Sequence, residues 1–92
     1  MINLYQKTWN ELNKEIAANC KNLRKRKKIT QEQLAAKSGV SFASVKRFEQ
    51  TGEISLQSLT KIAIALNAEK EFETLFTAVP YSSIEEILNE QD

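Results

Sequence analysis

The chain has 92 residues, 41% hydrophobic and 27% charged, enough for one domain with a modest core. No apolar run approaches the ~20 residues that span a bilayer, the opening MINLYQKTWN lacks the basic start and apolar centre of a secretion signal, and the single Cys20 excludes an internal disulfide. The net charge of +1 conceals two opposed halves, since residues 1–47 carry eleven Lys/Arg against three acids (+8) and residues 48–92 carry two against nine (−7).

Two glycines and one proline leave little room for the tight turns of a sheet, so the predicted class is all-α. Thr8-Trp9-Asn10-Glu11 has the form of a capping box. Trp9, Leu12, Ile16, Cys20 and Leu23 follow at spacings of three and four, one apolar stripe of a helix reaching about Lys27. The stripe also extends back through Tyr5 and Ile2 with Asn3 as an alternative cap, so its start is open. The run RKRKK at 24–28 suits the negative end of that helix.

Thr30 caps a second helix with Gln33 as its box partner, Leu34 and Ala35 facing inward and Gly39 at its left-handed end. Ser41 caps a third, anchored by Val45 and Phe48, and a loop over 50–54 turns at Gly52. Ser55 caps a fourth with Leu56, Leu59, Ile62, Ala63 and Leu66 as core positions and Asn67 as its stop. A fifth is expected over 69–78, with Phe72, Leu75, Phe76 and Val79 on one side, until Pro80 breaks it. A last box at Ser83–Glu86 opens a short helix with Ile84, Ile87 and Leu88 on one face. The expected organisation is a domain over 1–79 and an acidic segment over 80–92.

The second and third helices are short and meet across a tight turn. Such a meeting needs a small residue, here Ala35, and a positive φ four residues later, here Gly39. With Val40, Val45 and Phe48 held inside, Phe42, Ala43, Ser44, Lys46, Arg47 and Gln50 are left to the outer side or the flanks. A helix offered in this way fits the major groove of B-DNA.

At these residues the sequence resembles the helix-turn-helix domain of lambda repressor and Cro, the XRE-type regulators. The matching stretches are LRK at 23–25, ITQEQLA at 29–35, SGVS at 38–41, VKRFE at 45–49 and SLQSLTKIAIAL at 55–66. The resemblance implies a compact five-helix domain that binds a two-fold double-stranded DNA operator as a homodimer and represses transcription, and the lone Cys20 points to a reducing, cytoplasmic setting. It places Gln31 on a phosphate and Phe42, Ala43 and Ser44 at base edges. Lys46, Arg47 and Gln50 would reach bases or flanking phosphates, and Arg24 and Glu49 would form an internal ion pair. Arg26, Lys27 and Lys28 join the phosphate contacts on the strength of their charge beside the motif. Phe42 has two open readings, contact with a thymine methyl or burial in an interface.

The acidic tail YSSIEEILNEQD is suggestive of a second role, because small regulators with such tails resemble HipB-like antitoxins, which repress their own operon and bind a kinase toxin. A competing reading is a protein-interaction module of the same fold without specific DNA binding, with apolar Phe42 and Ala43 as its support. An enzyme reading finds none. Without histidine there is no metal–histidine site and no histidine base, and without a glycine-rich loop no phosphate cradle. Cys20 on the apolar stripe reads as a small buried hydrophobe. No cofactor, metal or membrane partner is expected.

Overall fold

Helices begin where a side chain can satisfy backbone N–H groups that have no intrahelical partner. The computed structural model describes residues 6–78. In it Thr8, Thr30, Ser41 and Ser55 each sit in extended backbone, and each hydroxyl accepts from the N–H three residues on, at 3.0–3.1 Å. They open α1 (Trp9–Arg26), α2 (Gln31–Ser38), α3 (Phe42–Thr51) and α4 (Leu56–Ala65), and a short α5 (Lys70–Glu73) follows. The described chain is thus all-α, five helices and no strand. At α2 the box closes in both directions, because Gln33 Oε1 also accepts the Thr30 N–H at 2.9 Å. Each such cap contributes about 1 kcal/mol. The open question of where α1 starts resolves at Trp9.

Two glycines shape the turns on either side of α3. Gly39 (φ +78°) and Gly52 (φ +81°) both take the left-handed conformation that ends a helix. A Cβ at Gly39 would meet nothing within 4 Å, whereas one at Gly52 would stand 2.9 Å from the backbone carbonyl carbon of Asn13. Gly52 therefore serves a second purpose, letting the end of α3 lie directly on α1. Lys28 and Asn67 adopt positive φ (58° each) without being glycine. Asparagine does so readily, while for a lysine the cost is about 1–2 kcal/mol.

α3 packs against α1 and α2, and α2 packs against α4. Leu34, Val40, Val45, Phe48, Ile62 and Leu66 form the buried centre, with Ala17 closing it from α1. Truncating Phe48, which is fully buried, to alanine is worth about 3–5 kcal/mol on this account. Leu23, Ile29, Ala35, Ile54 and Leu59 pack around it half-buried.

Several expectations need correction. On α1 the stripe holds in its second half, where Cys20 and Leu23 pack half-buried on the core, but the fully buried positions are Ala17 and Arg24, and Asn13 is half-buried. Leu12 and Ile16 are left exposed, and Trp9 is 73% exposed. Leu56 is 67% exposed rather than core: Leu59, Ile62, Ala63 and Leu66 complete the inner face, and Leu56 heads an outer row with Thr60 and the exposed Ile64. α3 runs on through Thr51, whose hydroxyl donates to the Arg47 carbonyl at 2.7 Å, so the loop starts later than residue 50.

The largest correction is the fifth helix. It spans four residues, Phe72 alone is half-buried, and Phe76 is 93% exposed at φ +63°. Its cap position, Glu69, makes no side-chain capping bond, and Glu69 Oε2 is buried without a hydrogen-bond partner among the described residues. With no cap and little apolar contact among the described residues, nothing extends the helix over the expected 69–78. Val79, Pro80 and the expected helix after Ser83 lie outside the described residues. No helix among the described residues is long and apolar enough to cross a membrane.

Candidate nucleic-acid interface

Along α3 the residues opposite Val45 and Phe48 are Ala43, Lys46, Arg47 and Gln50, at the i, i+3, i+4, i+7 spacing of one helix face. All four are exposed. Phe42 stands on one flank, 42% exposed, beside a shallow cleft lined by Thr30, Gln31, Glu32 and Arg24. Ser44 stands on the other flank, half-buried, with its hydroxyl accepting from Ser41 Oγ at 2.8 Å. Of the three residues at the start of α3, Ala43 alone lies squarely on the outer face, because its neighbours Phe42 and Ser44 are each about 100° round the helix from it.

What holds this face in place is an ionic junction behind it. Arg24 Nε donates to Glu49 Oε2 at 2.7 Å and Arg24 Nη2 donates to Glu49 Oε1 at 2.9 Å, a two-pronged fork. Arg24 Nη1 donates to the Ile29 carbonyl at 2.8 Å, and Gln31 Nε2 donates to Glu49 Oε1 at 2.9 Å. One junction thus ties the end of α1, the α1–α2 turn, the start of α2 and the middle of α3. The side chains of Arg24 and Glu49 are only 9% and 2% exposed. The hydrogen bond to Glu49 lifts the Arg24 guanidinium above its already high ordinary value despite burial. Burial works to raise the Glu49 carboxyl, but hydrogen bonds from Arg24 and Gln31 and the charges of Arg24 and Lys21 prevail and hold it below the ordinary carboxylate value.

Gln31, expected as an outward donor, therefore has one amide hydrogen committed to Glu49 and is half-buried. Arg26, Lys27 and Lys28 are exposed on the turn that Arg24 anchors, and none forms an ion pair among the described residues. The left-handed Lys28 sends the chain from α1 into α2, and its N–H donates to the Lys25 carbonyl at 3.0 Å. Cys20 is half-buried near the junction. Burial first, and the Glu49 charge second, push its thiol up to about 11, which keeps it protonated and unreactive at neutral pH.

A helix-turn-helix family model matches residues 21–72, which spans α2 and α3, the junction and the core they rest on. That is more than half of the 92 residues. The chain belongs to the helix-turn-helix family of lambda-repressor-like regulators. No curated protein and no solved structure matches it. Within this helix-turn-helix protein α3 occupies the place of the recognition helix and α2 that of its brace, and the family is one of DNA-binding transcription regulators, which act by binding.

One participant has no counterpart in the sequence reading. Glu53, just past the end of α3, accepts from Arg47 Nε at 3.0 Å and from Arg47 Nη2 at 2.5 Å, both on Oε2. The two residues are six apart across a glycine turn, a spacing that no helical or strand period brings together.

Proposed function

We propose that this chain is a sequence-specific repressor that binds a palindromic double-stranded DNA operator as a homodimer. The observation that carries the reading is the exposed face Ala43, Lys46, Arg47 and Gln50 on a helix fixed from behind by the Arg24–Glu49–Gln31 junction. A helix held from behind spares binding the cost of ordering its backbone, leaving only that of its exposed side chains. Lys46, Arg47 and Gln50 reach base edges or flanking phosphates. Ala43 and Phe42 offer apolar contact to thymine methyl groups, and Ser44 lies at the edge of that contact. Arg26, Lys27, Lys28 and the remaining amide hydrogen of Gln31 face the phosphate backbone. The acidic second half orients the protein by repulsion. The setting is cytoplasmic, on the nucleoid when bound.

The finer role is that of an autoregulating antitoxin in a HipBA-type toxin–antitoxin system. It is supported by the acidic amphipathic pattern of residues 81–92 and their likeness to HipB-like tails, with a HipA-like kinase as partner. Removing residues 81–92 abolishes capture of such a kinase if the tail is the docking element; undiminished capture excludes it. The alternative of a protein-interaction module draws on Phe42, an exposed aromatic at the head of α3.

Selection of bound sequences from a random duplex library separates these readings. A palindrome with half-sites one helical turn apart, about 34 Å, is the outcome expected of a dimeric operator binder. Retention that depends on salt but enriches no sequence rejects specific reading. Equal retention by a Lys46→Ala/Arg47→Ala variant assigns the protein to the interaction module.

A further inference from the structure

Arg47 is the one cation on the outer face of α3 that the protein itself holds. Both of its bonds to Glu53 use the same side of the guanidinium, the side formed by Nε and Nη2, and both end on a single oxygen, Oε2. The opposite, terminal side, formed by Nη1 and the second hydrogen of Nη2, has no protein acceptor among the described residues. Two parallel N–H donors on that side match the O6 and N7 acceptors of guanine in the major groove.

The backbone that carries this carboxylate is itself held. Thr51 Oγ1 accepts the Glu53 N–H at 3.1 Å while its own hydroxyl hydrogen goes to the Arg47 carbonyl at 2.7 Å. Gly52 between them lies against the backbone of Asn13, which fixes the turn to α1. Arg47, Thr51, Gly52 and Glu53 thus make a closed loop of contacts at the end of the recognition helix. An unpaired arginine that is 68% exposed would sample many rotamers and reach phosphates as easily as bases. A carboxylate on its inner side narrows that choice. Being 59% exposed itself, it also opposes any approach of a phosphate to the same place.

We propose that Glu53 is a specificity-determining positioning residue: it aims the terminal edge of Arg47 at a guanine and keeps that arginine from serving as a phosphate contact. The inference deepens the proposed operator reading and rests on it. It separates two effects that a simple charge argument joins. Removing the acid raises affinity for every duplex, because one repulsive charge is gone, and at the same time lowers preference for guanine at one position in each half-site.

The experiment is the same library selection run in parallel on the unaltered chain, Arg47→Ala and Glu53→Ala, with circular dichroism to confirm that each variant is folded. A Glu32→Gln variant, which removes an exposed acid from α2, controls for charge alone. In the unaltered protein one position per half-site shows a guanine preference. Arg47→Ala loses it by about 5- to 150-fold, the worth of a bidentate contact. Glu53→Ala weakens it by about two- to fivefold, the worth of an exposed pair, and retains more random duplex. Glu32→Gln leaves the preference as it was. If the unaltered chain shows the preference and Glu53→Ala keeps it in full, the positioning role is refuted while operator reading stands. If the unaltered chain enriches nothing, operator reading and this inference fall together.

Discussion

The recognition helix carries two arginine–glutamate pairs, one at its back and one at its front, and they differ in nearly everything but composition. At the back, Arg24 meets Glu49 in a two-pronged fork whose side chains are almost wholly shielded from water. At the front, Arg47 meets Glu53 through one oxygen, with most of both side chains in solvent. The buried pair has its remaining valences filled by Gln31 and the Ile29 carbonyl. It is a joint between elements, and breaking it leaves a charge stranded in a poorly solvated place. The exposed pair is bound weakly enough to exchange partners with water, salt or DNA. Burial, more than residue type, separates an ion pair that fixes a fold from one that tunes a surface.

The largest way to break the comparison is to remove one partner of the buried pair. Glu49→Ala leaves Arg24 charged and shielded, and Gln31 without its acceptor. A loss of about 3–5 kcal/mol in a urea-unfolding experiment is expected. A loss below about 1 kcal/mol would place both pairs in the same class.

Acid is a gentler test of the same joint. The Glu49 carboxyl is held below its ordinary value of 4.5 in the folded protein. Its contribution to stability is therefore complete above that ordinary value and is lost as pH falls through the lower folded value. Stability measured from neutral pH downward falls through this acid range in the unaltered protein, and Glu49→Gln, already lacking the charge, shows a shallower fall. Equal slopes would mean that the buried carboxylate is not tuned by its partners.

The smallest effect belongs to the front pair. A double-mutant cycle over Arg47→Ala and Glu53→Ala gives a coupling of about 0.2–1 kcal/mol in stability. At about 1 M salt, where the screening length is ~3 Å, that coupling falls to a fraction of its low-salt value. A coupling undiminished by high salt would show the front pair to be shielded like the back one.

Much of the scaffold was legible in the sequence because its causes are local. The caps at Thr8, Thr30, Ser41 and Ser55, the left-handed end at Gly39 and the turn at Gly52 depend on residues within four positions of one another. Where local pattern misled, a distant contact intervened. On α1, Asn13 faces in beneath Gly52 and Cys20 and Leu23 meet the core, while Trp9, Leu12 and Ile16 of the same stripe stay outside. The fifth helix shows the opposite failure, since among the described residues its periodic apolar side chains have neither a cap nor a surface to bury against, and period alone does not stabilise so short a segment.

At the candidate interface the split has the same origin. That α3 carries an outer face of Ala43, Lys46, Arg47 and Gln50 follows from helical spacing once Val45 and Phe48 are inside, so the sequence by itself determined it. That Gln31 leans on Glu49 and that Arg47 is held by Glu53 was decided only in three dimensions. A hydrogen bond between side chains depends on angstrom-scale approach of elements that the chain pattern leaves unspecified, whereas a helix face depends only on the pitch of the helix itself.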